Sequence, residues 1–250
     1  MKQFILTLLL VFSFSLNAQY VIMTAVDLNE GAEQDYLKLE EFYSEIHKEA
    51  VKQGLRSGQS VWKRTPKEGD EDSAPEYFIF DNFSSMEQMQ NQINYQELAE
   101  KVYKGKMSRR SIQRMLNTDS TAKDRRGYIL EAVDFTILAG GSVKPGDKAT
   151  INLMNKKTED FEKYESEVWK PVAEKNILNG NLRQWAIVKL IDKSDNAYDG
   201  WSHMAWNLRG DNPGEWDGPT GFKWNKLWEG IESSRDMTDA TELTCVFTVD

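Results

Sequence analysis

The residues best suited to chemistry in this chain sit in two short apolar stretches, Tyr77-Phe78-Ile79-Phe80-Asp81 and His203-Met204-Ala205-Trp206-Asn207. Each reads as a strand, in which alternate residues share a face. Tyr77, Ile79 and Asp81 therefore point one way, in register with His203, Ala205 and Asn207. His203 titrates nearest neutrality and is the candidate general base. Tyr77 and Asn207 are donors able to polarise a carbonyl, and Asp81 could orient a phenolic or carbonyl compound. Gln59 and Trp185 occupy matching places on neighbouring strands, and Glu131 and Glu242 occupy matching places on the last strand of each half. The competing reading is structural: a strand histidine hydrogen-bonded in the core, tyrosine and aspartate paired with adjacent strands, and carboxylates at an edge in water. His47 falls on a helix beside Ile46, away from this set.

Several chemistries lack their motifs. Gly140-Gly141 and Pro145-Gly146 are turn formers with no Gly-Lys-Ser/Thr after them, and no Gly-x-Gly-x-x-Gly appears. There is no Gly-x-Ser-x-Gly elbow. Two histidines and one cysteine, far apart in sequence, give no zinc spacing, so no metal and no cofactor is expected.

The elements that must position these residues repeat. Residues 35–82 and 161–208 carry the same succession of helix, strand, loop and strand, and Gly180 follows Gly54 by 126 residues. In the first half, Tyr20 to Leu28 reads as a strand. Tyr36, Leu39, Phe42, Tyr43, Ile46 and Ala50 recur at helical spacing, and Gly54 stands where a left-handed cap belongs. Strands follow at 55–64, 76–83 and 128–137, with a charged, exposed loop at 65–75 and a helix capped by Ser84. The second half repeats the order, with Pro171 inside the helical stripe, where a kink is expected. Each half is βαββαβ. A period this long indicates domain duplication and not a solenoid.

The first eighteen residues resemble a secretory leader. Lys2 is followed by an apolar run from Phe4 to Leu16, and Ala18 offers the small residue for cleavage. The run is too short to span a bilayer, which takes roughly 20 apolar residues. The expected organisation is therefore leader 1–18, first module 19–138 and second module 139–250, exported to a periplasm or secreted. The chain carries 31 basic against 40 acidic residues, a formal charge of −9. Such an acidic surface is repelled by phosphate backbones and anionic lipids, so neither nucleic acid nor a membrane is an expected partner of the processed chain. The single Cys245 forms no internal disulfide.

A βαββαβ unit whose first helix carries Tyr164-Glu165-Ser166-Glu167-Val168-Trp169-Lys170-Pro171 and ends at Gly180 before a Trp-bearing strand resembles the dimeric α/β-barrel superfamily, which includes the antibiotic-biosynthesis monooxygenases. The resemblance implies an α+β fold of two ferredoxin-like modules whose sheets close into one barrel. Here one chain supplies both modules, which allows a monomer. Members include cofactor-free monooxygenases, cyclases and haem-handling enzymes, so the fold does not settle the function. On this barrel, the wholly apolar set Phe78, Phe80, Met204 and Trp206 is expected against the helices. Tyr77, Asp81, His203 and Asn207 are expected to line the interior as a ligand site, with Gln59, Trp185, Glu131 and Glu242 near them.

Tryptophan is concentrated in the second half, and Trp216 lies in a Gly- and Pro-rich loop, 209–221, with no counterpart of that length in the first. Long loops of this kind are commonly functional. The expectation is a lid that lays Trp216 over the barrel mouth, with any site weighted toward the second copy. Two functions are consistent with these residues. One is an exported protein that binds a small apolar or aromatic ligand; the other is a cofactor-independent barrel enzyme of monooxygenase, cyclase or isomerase type acting on such a carbonyl compound. A haem-binding variant would depend on His203 as axial ligand.

Overall fold

A computed structural model describes residues 19–71, 73–211, 214 and 216–250, so the leader expected at 1–18 lies outside the described residues, as do Asn212, Pro213 and Glu215 of the long loop. The first half runs β1 (Tyr20–Leu28), α1 (Glu33–Lys52), β2 (Gly58–Arg64), β3 (Tyr77–Phe83), three short helices α2 (Met86–Gln90), α3 (Tyr95–Val102) and α4 (Arg109–Leu116), and β4 (Ala122–Phe135). The second runs β5 (Lys148–Lys156), α5 (Phe161–Tyr164), a π turn at Glu165–Trp169, α6 (Lys170–Leu178), β6 (Leu182–Lys193), β7 (His203–Arg209), α7 (Phe222–Ser234), the short β8 (Arg235–Met237) and β9 (Thr241–Val249).

The glycines shared by the two halves end their helices in the same way. Gly54 and Gly180 have φ of 71° and 78°. The amide of Leu55 reaches back to the Ala50 carbonyl and that of Asn181 to the Asn176 carbonyl, both at 2.9 Å. This is the double-bonded Schellman cap, and a left-handed residue is its geometric requirement. Ser85, one residue later than expected, caps α2 by accepting from the Gln88 amide, while the Gln88 side chain accepts from Ser84 N at 2.7 Å. The disturbance at Pro171 takes the form of a π turn just before it, from Glu165 to Trp169, and helix resumes at Lys170. The wider turn accommodates a residue without a donor in an otherwise continuous helical segment.

Among the described residues, nine strands form one antiparallel sheet in the order β7-β6-β4-β1-β3-β2-β9-β5-β8, and a further pairing of β7 with β5 closes eight of them into a barrel. Each module contributes four strands. The seams are equivalent, since the second strand of each module pairs with the last strand of the other: β2 with β9, from Gln59 opposite Val249 to Arg64 opposite Leu243, and β6 with β4, from Ala186 opposite Phe135 to Lys193 opposite Tyr128. The fold is a dimeric α/β barrel made within a single chain.

The face assignment expected for the third strands is reversed. Phe78, Phe80 and Met204 are buried in the barrel core with Met23, Trp62, Leu130 and Ile151, and Trp206 packs against that core. Tyr77 and Ile79 belong instead to the cluster with Val26 and Tyr36, and Ala205 to the cluster with Phe161 and Trp185 under the second module's helices. The cause is volume. An eight-stranded barrel has an interior that side chains can just fill, so the bulky apolar set goes inside and the mixed polar set faces the helices.

Substituting Gly54 tests the cap alone, because a Cβ at this position would meet nothing within 4 Å. Gly54→Ala is expected to lower the unfolding free energy by about 1–2 kcal/mol, the cost of a left-handed L-residue, as measured by urea denaturation.

Candidate functional site

With the polar strand faces turned outward, the space between sheet and helices becomes the place to look. In the first module this space is open. A cleft of about 680 Å³ is walled by Thr24, Gln59, Ile79 and Asp81 from the sheet, by Leu39, Glu40, Tyr43 and His47 from α1, by Tyr95 of α3, and by Leu116 to Arg125 leading into β4. Helical spacing puts Glu40, Tyr43 and His47 on one face of α1, next to the apolar Leu39, Phe42 and Ile46 that hold the helix on its neighbours.

The cleft is lined by buried ionisable groups. Arg56 forms an ion pair with Asp81 and donates from its other terminal nitrogen to the Tyr95 hydroxyl at 2.6 Å. Burial raises the Asp81 carboxyl even with Arg56 beside it. Burial also raises Glu40 to about 7, against the opposing pull of Arg125. Burial, helped by the nearby positive charge of Arg56, pushes His47 down to about 3. His47 is therefore neutral at ordinary pH, and its buried Nδ1 has no hydrogen-bond partner among the described residues. At the rim, the exposed Arg125 guanidinium lies 5.8 Å from the centre of the Tyr36 ring and makes no salt bridge among the described residues. The cleft thus combines a protonatable carboxyl, a neutral imidazole and an available cation with an apolar wall.

The same space in the second module is filled. Trp185 stands where the first module has Gln59 and is fully buried, with Phe161, Met154 and Ile187 packed around it. At the 126-residue offset, Glu40, His47 and Arg56 are matched by Ser166, Ala173 and Leu182. The buried charge here is a separate ion pair between Glu165 and Arg235, 2.6 Å apart. An asymmetric site was expected, but the larger cleft lies in the first copy.

Of the residues singled out in the sequence, the structure brings Gln59 and Asp81 together, on adjacent strands in the cleft wall. Tyr77 is fully buried, donates to Glu33 Oε1 at 2.7 Å and packs on Tyr36 at 4.7 Å. His203 faces the second module's helices, not the barrel interior. Its Nε2 lies 3.2 Å from Glu162 and its Nδ1 2.9 Å from Ser202, with the Phe161 ring edge-on at 4.8 Å. Burial lowers its pKa, partly countered by Glu162. With both ring nitrogens engaged and the ring covered, His203 does not fit the role of a haem axial ligand. Asn207 lies opposite Trp185 on that same outer face. Glu131 also points outward, accepting from Tyr20 at 3.2 Å and pairing with Lys189 at 2.7 Å, which lowers its carboxyl pKa. Glu242 is exposed on β9, adjacent to the inward-facing Leu243.

Trp216 does not cover a barrel mouth. It stacks on Trp169 of the π turn at 5.6 Å, and Asp217 ties the loop to α6 through Lys175, Asn176 and Asn179. Cys245 is buried in the barrel, where burial pushes its thiol up to about 12, beyond the range of a reactive thiolate. Among the described residues, no three of His, Cys, Asp and Glu are grouped as a metal ion would require. No described helix is long and apolar enough to cross a membrane.

No family model matches the sequence, and no curated protein matches it. Solved structures do resemble the fold. A candidate monooxygenase of Lactobacillus acidophilus superposes with a TM-score of 0.55 at 12% identity, over 93% of this chain and 96% of that one. A candidate monooxygenase of Fusobacterium nucleatum superposes at 0.54 and 9% identity, over 94% and 95%. The likeness establishes the dimeric α/β-barrel fold over nearly the whole of both chains.

The two unusual cleft pKa values make opposite contributions to stability. Glu40 is raised above its ordinary 4.5, so folding favours its protonated form, and stability falls as pH rises from about 4.5 to 7. His47 is lowered below 6.5, so stability falls as pH drops from about 6.5 toward 3. Glu40→Gln is expected to gain on the parent by on the order of 3 kcal/mol between pH 4.5 and pH 8. Paired urea titrations at the two pH values measure this difference, and a constant offset between the proteins would refute it.

Proposed function

We propose that this chain binds a small organic molecule in the sheet-helix cleft of its first module. The observation that carries this reading is the cleft itself: about 680 Å³, within the range of ligand sites, with an apolar wall and a few convergent polar groups. The ligand's body rests on Leu39, Ile79, Leu116 and the rings of Tyr43 and Tyr95. Its carbonyl or carboxylate head lies at the rim, where Arg125 supplies the charge. The chain's acidity does not oppose this, because recognition is local to one guanidinium in a partly desolvated cleft. An apolar or aromatic compound with one such head group is the class that fits.

A second reading, catalysis, is favoured by Glu40. A buried carboxyl near 7 is poised to take and return a proton at neutral pH. With the carbonyl oxygen held by Arg125, Glu40 would accept a proton from the adjacent carbon or ring hydroxyl, leaving an enolate or phenolate whose charge faces the guanidinium. The two solved structures described above are candidate monooxygenases, which supports an enzymatic reading without naming a substrate.

Calorimetric titration with 1-hydroxy-2-naphthoate tests the site. Arg125→Ala is expected to weaken binding at least tenfold, about 1.4 kcal/mol, and Leu39→Trp to abolish it by filling the cleft. Unchanged affinity in both folded variants would refute the location. For catalysis, proton exchange at the ring position beside the hydroxyl, followed by NMR in deuterated water, is expected to rise through an apparent pKa near 7 that Glu40→Gln removes. Exchange no faster than in buffer would leave binding without catalysis. Export is the remaining part of the proposal. Mass spectrometry of the protein recovered outside the cytoplasm is expected to find a chain beginning at Gln19, and an intact Met1 on all recovered protein would refute it.

A further inference from the structure

The barrel interior is not completely filled. On the side where β1 begins, it holds a cavity of about 170 Å³ that shares no lining residue with the cleft. The shortfall has a sequence cause. An eight-stranded barrel is just filled when its inward residues are bulky, and otherwise retains room for one small ligand. Here Ala132 of β4, Ala186 of β6 and Val21 of β1 face the space, leaving it to be closed by Trp62, Phe80 and Trp206 from the other side. Those three rings hold one another in place, with Trp206 edge-on to Trp62 at 4.9 Å and to Phe80 at 5.4 Å. The cavity is therefore preformed and mostly apolar.

Its mouth is polar in a specific way. Three carboxamides, Gln19, Asn82 and Gln184, line it, and their side chains make no hydrogen bond among the described residues. The Ser60 hydroxyl, also in the wall, already accepts from Trp62 Nε1 at 2.8 Å. Phe135, a large apolar residue left 38% exposed, completes the rim. The opposite end of the barrel differs. Its cavity of about 240 Å³ lies under the β2–β3 and β6–β7 loops, and its polar groups are already committed, Arg64 to Asp70 at 2.5 Å and Arg126 to the Ser73 carbonyl at 2.7 Å. The uncommitted amides are at the first end.

We propose that this end of the barrel is a second small-molecule site, specific for a single-ring or fused-ring aromatic compound bearing one hydrogen-bonding group. The size agrees: an apolar cavity of about 150 Å³ stays dry and takes up benzene. The ring occupies the space beside Ala132 and Ala186 against Trp206, and its polar group meets the carboxamides, which can donate or accept as required. This site is independent of the cleft ligand proposed above.

The test uses indole and its hydrocarbon analogue indene, titrated calorimetrically into the purified protein. Indole is expected to bind at millimolar concentration or below, and more tightly than indene. Ala186→Phe, which fills the cavity from β6, is expected to lower indole affinity at least tenfold, and Val21→Phe does the same from β1 should the first variant fail to fold. Asn82→Leu is expected to reduce the preference for indole over indene. Arg125→Ala, on the cleft, should leave indole binding unchanged. The proposal is overturned if indole does not bind, if the folded filling variants bind it as the parent does, or if Arg125→Ala abolishes binding, which would place the probe in the cleft.

Discussion

The closure of the barrel is the constraint on which the rest of this structure depends. Neither module can satisfy its outer strands alone, since each four-stranded sheet ends in two edges of unpaired amides and carbonyls. Pairing β2 with β9 and β4 with β6 removes those edges. Closure also fixes which side chains go where. Once the interior is enclosed, it must be filled by volume, and Phe78, Phe80, Trp62, Met204 and Trp206 do most of the filling. The alternate residues on the same strands are then directed to the helices, whatever their polarity. The polar face of β3 is thus available to a sheet-helix cleft as a result of barrel packing.

Duplication supplied two such outer faces, and they have been used differently. In the second module Trp185 occupies the space, and the helix above it is adjusted by a π turn that brings Glu165 down onto Arg235. Burial raises the Glu165 carboxyl to about 7 as well, against the pull of Arg235, and Trp185 Nε1 has no hydrogen-bond partner among the described residues, so what separates the two layers is the space that Trp185 fills and not the buried charge itself. In the first module Gln59 replaces the indole, and the space left over is lined by groups whose charge balance is incomplete. Glu40 is near half-ionised at neutral pH, and His47 is neutral with one nitrogen unpartnered. Such arrangements cost folding energy and are concentrated at functional sites.

The architecture was legible because its signals are local. Gly54 and Gly180 mark the ends of equivalent helices, and the alternation in 77–81 and 203–207 marks equivalent strands. Topology then followed from the βαββαβ order. Side-chain direction was not legible in the same way, because alternation reveals two faces without saying which is enclosed. The bulk of Phe78, Phe80, Met204 and Trp206 decides the matter, filling the interior and turning Tyr77 and His203 toward the helices. A signal for Glu40, His47 and Arg56 was present: each is ionisable where the aligned second copy has the non-ionisable Ser166, Ala173 or Leu182. Divergence between the copies was informative there, whereas the excess of tryptophan in the second half was a packing signal. Trp169, Trp216, Trp224 and Trp228 pack on one another outside the barrel.

The cleft and the barrel cavity share a wall one strand thick. Asp81 and Asn82 are consecutive on β3, and Gln59 and Ser60 are consecutive on β2; the first of each pair lines the cleft and the second the cavity. In a pleated strand these side chains point in opposite directions from a common backbone. A change of twist that widens one space therefore narrows the other at the same residues. Such a shift is resisted at this point, because Asp81 is held by Arg56, which is in turn bonded to Tyr95 on a helix packed against α1. That buried pair ties this part of the wall to the helix that carries Tyr95.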